Sequence, residues 1–157
     1  MANGSLITDE LRKLIGVTLD TIVFKVEEGA IQRYAQAIGD PNPLYNDPDF
    51  ARKTKYGRLI APPGFTGWPT KAGRPTEKLF AFLVRAGAPP RILDGGIDFE
   101  FIEPIGAGDV LIATTKIGKV TERETRLGKT MFTTAEVTFA NQKGNVVLKS
   151  WATIIQF

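Results

Sequence analysis

Neither cysteine nor histidine occurs in the 157 residues. The first absence excludes disulfides, thiol nucleophiles and cysteine-based metal sites, and the second removes the usual zinc and non-haem iron sites as well. A long apolar run is also missing near the start: residues 1–15 carry Asp9, Glu10, Arg12 and Lys13, a pattern that predicts neither a signal peptide nor a membrane span. A soluble, cytoplasmic protein is the expectation. Charge of one sign does not dominate either, since 20 basic and 17 acidic side chains leave a formal +3 with both signs dispersed. Nucleic acid is therefore not expected as a partner. Any chemistry falls to Asp, Glu, Lys, Arg, Tyr, Ser, Thr or backbone groups.

What is present suffices for one globular domain: at this length and 43% hydrophobic content, a single core can bury roughly 70% of the unfolded chain's surface. Residues 21–26 are β-branched and aromatic, and residues 27–38 place Ile31, Tyr34, Ala35 and Ile38 at helical spacing, predicting a strand that runs into an amphipathic helix. Glu27 and Glu28 suit the first turn of that helix, and Gly39 its end. From Asp40 to Pro63 turn formers crowd together, with a short helix predicted near residues 48–54, capped by Asp47 and opened by Pro48. A segment this irregular in a compact domain is usually functional.

Leu79, Phe80, Phe82, Leu83 and Val84 supply an apolar helical stretch, while Trp68-Pro69 and Arg74-Pro75 break any single long helix before it. Trp68, Phe80, Phe82 and Leu83 are expected in the core or a subunit interface. Four strands follow, over residues 96–101, 110–120, 130–140 and 146–156, with alternation that fits a half-buried antiparallel sheet. One strand, helical material and then four strands give an α+β fold.

Residues 39–45, Gly-Asp-Pro-Asn-Pro-Leu-Tyr, carry the chemical signal. They resemble the Gly-Asp-x-Asn-Pro-x-His segment of the MaoC-like (R)-specific enoyl-CoA hydratases and dehydratases. The likeness extends to residues 47–51, to the run Gly57-Arg58-Leu59-Ile60-Ala61-Pro62-Pro63-Gly64-Phe65, to residues 101–109 and to residues 144–151. The resemblance implies a hot-dog fold, an antiparallel sheet wrapped around a central helix, assembled as pairs. It also implies an acyl thioester of CoA or acyl carrier protein as substrate, with no further cofactor and no metal. Asp40 and Tyr45 take the catalytic places, and Asn42, Pro63, Gly64 and Phe65 the substrate-binding ones.

Two departures accompany the likeness. Tyr45 stands where the catalytic His of active members stands, and Pro63 falls where a glycine amide helps to form their oxyanion hole. Both resemble the His-lacking subunits that shape the acyl channel while a His-bearing hot-dog partner supplies the catalytic pair. That makes a homodimer, or a heterodimer with such a partner, the expected assembly. A self-sufficient hydratase using Asp40 with Tyr45, a hot-dog thioesterase using Asp40 or a nearby Glu, and a non-catalytic homodimer remain open. Lys53, Lys55 and Arg58 are expected as a solvated basic stretch, with contact to CoA phosphates as the other reading.

Overall fold

The computed structural model describes residues 4–66, 76 and 78–157. Its elements run α1 (Asp9–Leu14), β1 (Thr18–Lys25), α2 (Glu28–Ala37), α3 (Pro43–Asn46), α4 (Pro48–Arg52), α5 (Leu79–Arg85), β2 (Ile92–Phe101), β3 (Val110–Thr125), β4 (Gly128–Ala140) and β5 (Val146–Gln156). The strands form one antiparallel sheet in the order β1-β3-β4-β5-β2. The breaks expected at Trp68-Pro69 and Arg74-Pro75, and the burial of Trp68, lie outside the described residues.

Alternation in β4 orients the sheet. Met131, Thr133, Ala135, Val137 and Phe139 are all buried, so this set faces the helices and the intervening residues face outward. Two apolar clusters share that inner face. One gathers Phe24, Val26, Ile31, Leu59, Phe65, Ile105, Leu111 and Phe139 beneath α2 and the following loop. The other gathers Leu11, Leu79, Leu83, Ile117 and Met131 beneath α1 and α5.

The helix predicted over 27–38 is α2, and its end is fixed by backbone geometry. Gly39 adopts φ +70°, the Asp40 N–H reaches the Ala35 carbonyl at 2.9 Å and the Gly39 N–H reaches Gln36 at 3.1 Å. This is a Schellman closure, which needs a residue without a Cβ penalty at the left-handed position. Asp47 caps α4 through the Asp49 and Phe50 N–H groups, with Pro48 opening the helix. Two short helices were not predicted. α1 has no clear period and is marked only by its Thr8 cap, which accepts from Leu11 N–H and donates to the Ala86 carbonyl. α3 is a single turn begun by Asn42.

β2 starts four residues earlier than the predicted 96, at Ile92. The glycine pair Gly95-Gly96 conceals its first half, because it reads as a turn and is instead a bulge where the register with β5 shifts between Asp94 and Ile97. A Cβ at Gly95 would lie 2.9 Å from the Thr153 carbonyl oxygen, too close for a side chain. β2 is an edge strand, exposed along its whole length. Phe101 and Phe99 stand opposite Leu148 and Ser150, which are buried on the helix-covered face. Among the described residues no helix extends that cover over β2, and Ile97 is 51%, Phe99 37% and Phe101 43% exposed.

Candidate active site

The segment from Asp40 to Asn46 is held by its own short polar side chains. Asp40 Oδ1 accepts the Asn42 N–H at 3.0 Å, and Asn42 Oδ1 accepts the Leu44 N–H at 3.0 Å. The Asn46 side-chain amide closes the loop by donating to the carbonyls of Asp40 and Asn42. These bonds replace the ladder that a Pro-Asn-Pro sequence cannot make. They present Tyr45 toward the first core cluster, against which its ring packs.

Tyr45 holds its proton more tightly than an ordinary tyrosine. Burial raises its pKa first, the nearby charges of Asp40 and Tyr56 raise it further, and a hydrogen bond with the Asn42 side chain opposes them without reversing the shift. A free tyrosine already titrates near ~10, so this hydroxyl is a donor at neutral pH and not a base.

Opposite, Pro62-Pro63-Gly64-Phe65 makes a tight turn. The Phe65 N–H bonds to the Pro62 carbonyl at 3.1 Å and Gly64 has φ +93°, the arrangement of a type II turn with proline second and glycine third. Phe65 is 1% exposed and meets the Tyr34 ring edge-on at 5.6 Å. Pro63 has no N–H to offer an oxyanion. Among the described residues the Gly64 N–H meets no acceptor. A Cβ on Gly64 would come within 2.5 Å of the Tyr34 hydroxyl. Gly64→Ala is therefore expected to lose about 1–2 kcal/mol of stability from the positive φ and the clash together. Urea unfolding measures it, and adding Tyr34→Phe should recover part of the loss.

A pocket of about 260 Å³ lies between this turn and the end of β2. Tyr45, Pro63 and Phe65 line it, together with the run from Phe101 to Ile105 across from them. Of the residues expected in the site, Asp40, Asn42 and Gly64 do not line it. Asp40 acts on the Tyr45 hydroxyl through its charge, and Asn42 through a hydrogen bond. Glu103 was missed. Among the described residues it is the one charged group of the lining, flanked by Ile102 and Pro104, and a lone acid in an apolar run was the signal available. Among the described residues no cluster of three or more acidic side chains could hold a metal, and no helix is long and apolar enough to cross a membrane.

Arg58 departs from the solvated role expected of it. It forms a fork with Asp109, Nη2 to Oδ2 at 2.9 Å and Nη1 to Oδ1 at 2.8 Å, and Nη1 also donates to the Ala107 carbonyl. Asp109 is 3% exposed. Burial raises its pKa, but the Arg58 fork, the Gly106 N–H and the Gln142 amide outweigh that and hold the carboxyl below its ordinary value.

A five-stranded antiparallel sheet wrapped on one face by helices, with a polar loop delivering an Asp-x-Asn-Pro-x-Tyr segment to an apolar pocket, defines a hot-dog protein of the MaoC-like dehydratase class. The family described as the FAS1-like dehydratase domain region matches residues 13–150, and the chain belongs to it. The UPF0336 protein of Streptomyces avermitilis is 33% identical over 99 residues, 62% of this chain and 63% of that protein. A probable enoyl-CoA hydratase alpha subunit of Thermomonospora curvata is 27% identical over 139 residues, 81% of this chain but 43% of that protein. The chain thus spans less than two thirds of either relative. Among solved structures, the MaoC-like dehydratase of Rhodospirillum rubrum is 26% identical with a TM-score of 0.58, over 90% of this chain and 97% of that one. The ChsH1–ChsH2 complex of Mycobacterium tuberculosis shares the fold with a TM-score of 0.72 at 19% identity, over 95% and 89%.

Proposed function

We propose that this protein is the acyl-thioester-binding subunit of an (R)-specific enoyl-CoA hydratase or 3-hydroxyacyl dehydratase, acting in the cytoplasm without a catalytic base of its own. The observation that carries this reading is Tyr45. It lines the pocket, and its surroundings hold it protonated; in this reading it stands in the place of the family's His, where the reaction needs a group that exchanges protons near pH 7. Pro63 supports the same conclusion, because the turn that would polarise the thioester carbonyl presents a proline at that point. The pocket's apolar walls suit an acyl chain, and the thioester of CoA or acyl carrier protein is the only small molecule the reading requires. Loss of enoyl absorbance from crotonyl-CoA tests the reading, and turnover at the rate of a His-bearing homologue would overturn it.

A second hot-dog chain, carrying the Asp-His pair, completes the site in this reading. The exposed β2 edge supports it: among the described residues no strand pairs with its outer side, and Ile97, Phe99 and Phe101 form an apolar row beside it, where such edges promote association. An Ile97→Lys/Phe99→Lys double variant is expected to sediment as a monomer under conditions in which the parent chain associates with itself or with its partner. An unchanged association state would take β2 out of the interface.

A self-sufficient enzyme is the second reading, favoured by one feature: Asp40 keeps Oδ2 free of donors among the described residues while its charge reaches Tyr45. It requires turnover that Asp40→Asn abolishes without loss of fold.

A further inference from the structure

We propose that Glu103 sets the charge selectivity of the pocket, admitting neutral acyl chains and turning away those that carry a second carboxylate. The inference rests on the reading of the pocket as an acyl site.

Glu103 stands among apolar neighbours. Pro63, Phe65, Phe101 and Ile105 line the same cavity of about 260 Å³, and among the described residues Glu103 is its one charge. No ion pair among the described residues involves it. Arg58 leads into the wall that begins at Ile60, but its guanidinium is taken up by Asp109 and the Ala107 carbonyl. A carboxylate left without a counter-ion repels a further anion brought beside it.

The backbone holds that charge in place. The Ile102 and Glu103 N–H groups both donate to the Val147 carbonyl, at 2.9 and 3.2 Å, which ties the end of β2 to β5. Pro104 follows, and a residue before proline is confined to extended backbone. From the other side, the Ala61 N–H bonds to the Ile105 carbonyl at 2.7 Å. The Glu103 side chain can change rotamer, but the segment that carries it is tied on both sides.

Tyr45 and Pro63, the positions that face the thioester in this reading, line the same cavity. The first carbons of an acyl chain therefore lie within it, close to Glu103. At physiological salt charges interact over about 8 Å, and a cavity of about 260 Å³ fits well inside a sphere of that radius. A carboxylate at the end of a short chain is consequently repelled before salt can screen it, whereas a methyl group at the same place is not.

The test measures hexanoyl-CoA, adipoyl-CoA and free CoA by calorimetry on the parent protein and on Glu103→Gln, each shown folded by circular dichroism. Hexanoyl and adipoyl groups have the same length and differ in a terminal methyl against a carboxylate, and glutamine keeps the shape of glutamate without its charge. The parent's preference for hexanoyl-CoA over adipoyl-CoA is expected to narrow by about three- to tenfold in Glu103→Gln. In the parent it should narrow by a similar factor in about 1 M salt, where the screening length falls to about 3 Å. A ratio that stays the same in Glu103→Gln, or in the parent at high salt, would overturn the inference. That includes the case in which both affinities rise together, which would place the repulsion on the phosphates common to the two ligands. A parent protein that binds hexanoyl-CoA no tighter than free CoA would overturn the acyl-site reading, and with it this inference, an outcome visible before any variant is made.

Discussion

Replacing Asp109 by alanine is expected to lower stability by about 3 kcal/mol, which for a chain of this size is a fall of about 6–12 °C in melting temperature. The buried carboxylate has several partners, and its removal strands them together: the Gly106 N–H, the Arg58 fork and the Gln142 amide. Breaking a fully buried pair typically costs about 3–5 kcal/mol, and the Arg58 side chain, 41% exposed, recovers part of that by returning to water. Thermal unfolding measures the change, and a shift below 2 °C would mean that the pair is decorative. The same carboxyl predicts acid sensitivity. Its pKa is lower folded than unfolded, so its contribution is complete above the ordinary aspartate value of about 4 and is lost as pH falls below it. The alanine variant should show a flatter decline in stability over that window.

Hydration of a trans-2-enoyl thioester by the purified protein is expected to run at least 10²–10⁴-fold slower than by a His-bearing family member, the usual contribution of general acid–base catalysis. If Pro63 stands where family members place an oxyanion donor, as the proposed function holds, roughly 10²–10³-fold more is expected to be lost. These effects compound because they serve different charges, one the proton that water loses and the other the negative charge that gathers on the thioester oxygen. Tyr45 cannot make up the first deficit as a base, since burial and the Asp40 charge both keep its proton on. A Tyr45→Phe variant should consequently change the residual rate little, while removing the hydroxyl's hydrogen bond with Asn42.

Much of the sheet was legible because β4 and the first half of β3 alternate cleanly, and α2 because its buried positions repeat at helical spacing. α1 escaped because six residues hold too little period to register against the surrounding chain. The first half of β2 escaped because Gly95-Gly96 is a turn signal in sequence and a bulge in space. The loop from Asp40 to Tyr45 announced itself through local bonds between side chains and neighbouring N–H groups, which are written into the order of residues. The opposite wall was not, since Tyr45 faces Phe101 to Ile105 only through pairings distant in sequence, of β2 with β5 and of Ala61 with Ile105. Arg58 shows the limit most sharply. Its charge was plain, but its partner lies 51 residues away, and only the fold decides between solvent, a phosphate and Asp109.

The most direct test follows crotonyl-CoA and trans-2-octenoyl-CoA hydration by the purified protein and its Asp40→Asn variant, with octanoyl-CoA binding measured on the same samples. The account predicts binding by both proteins and no turnover above the buffer rate by either. Robust turnover that disappears in Asp40→Asn would contradict it, and would make this chain a hydratase that works without histidine.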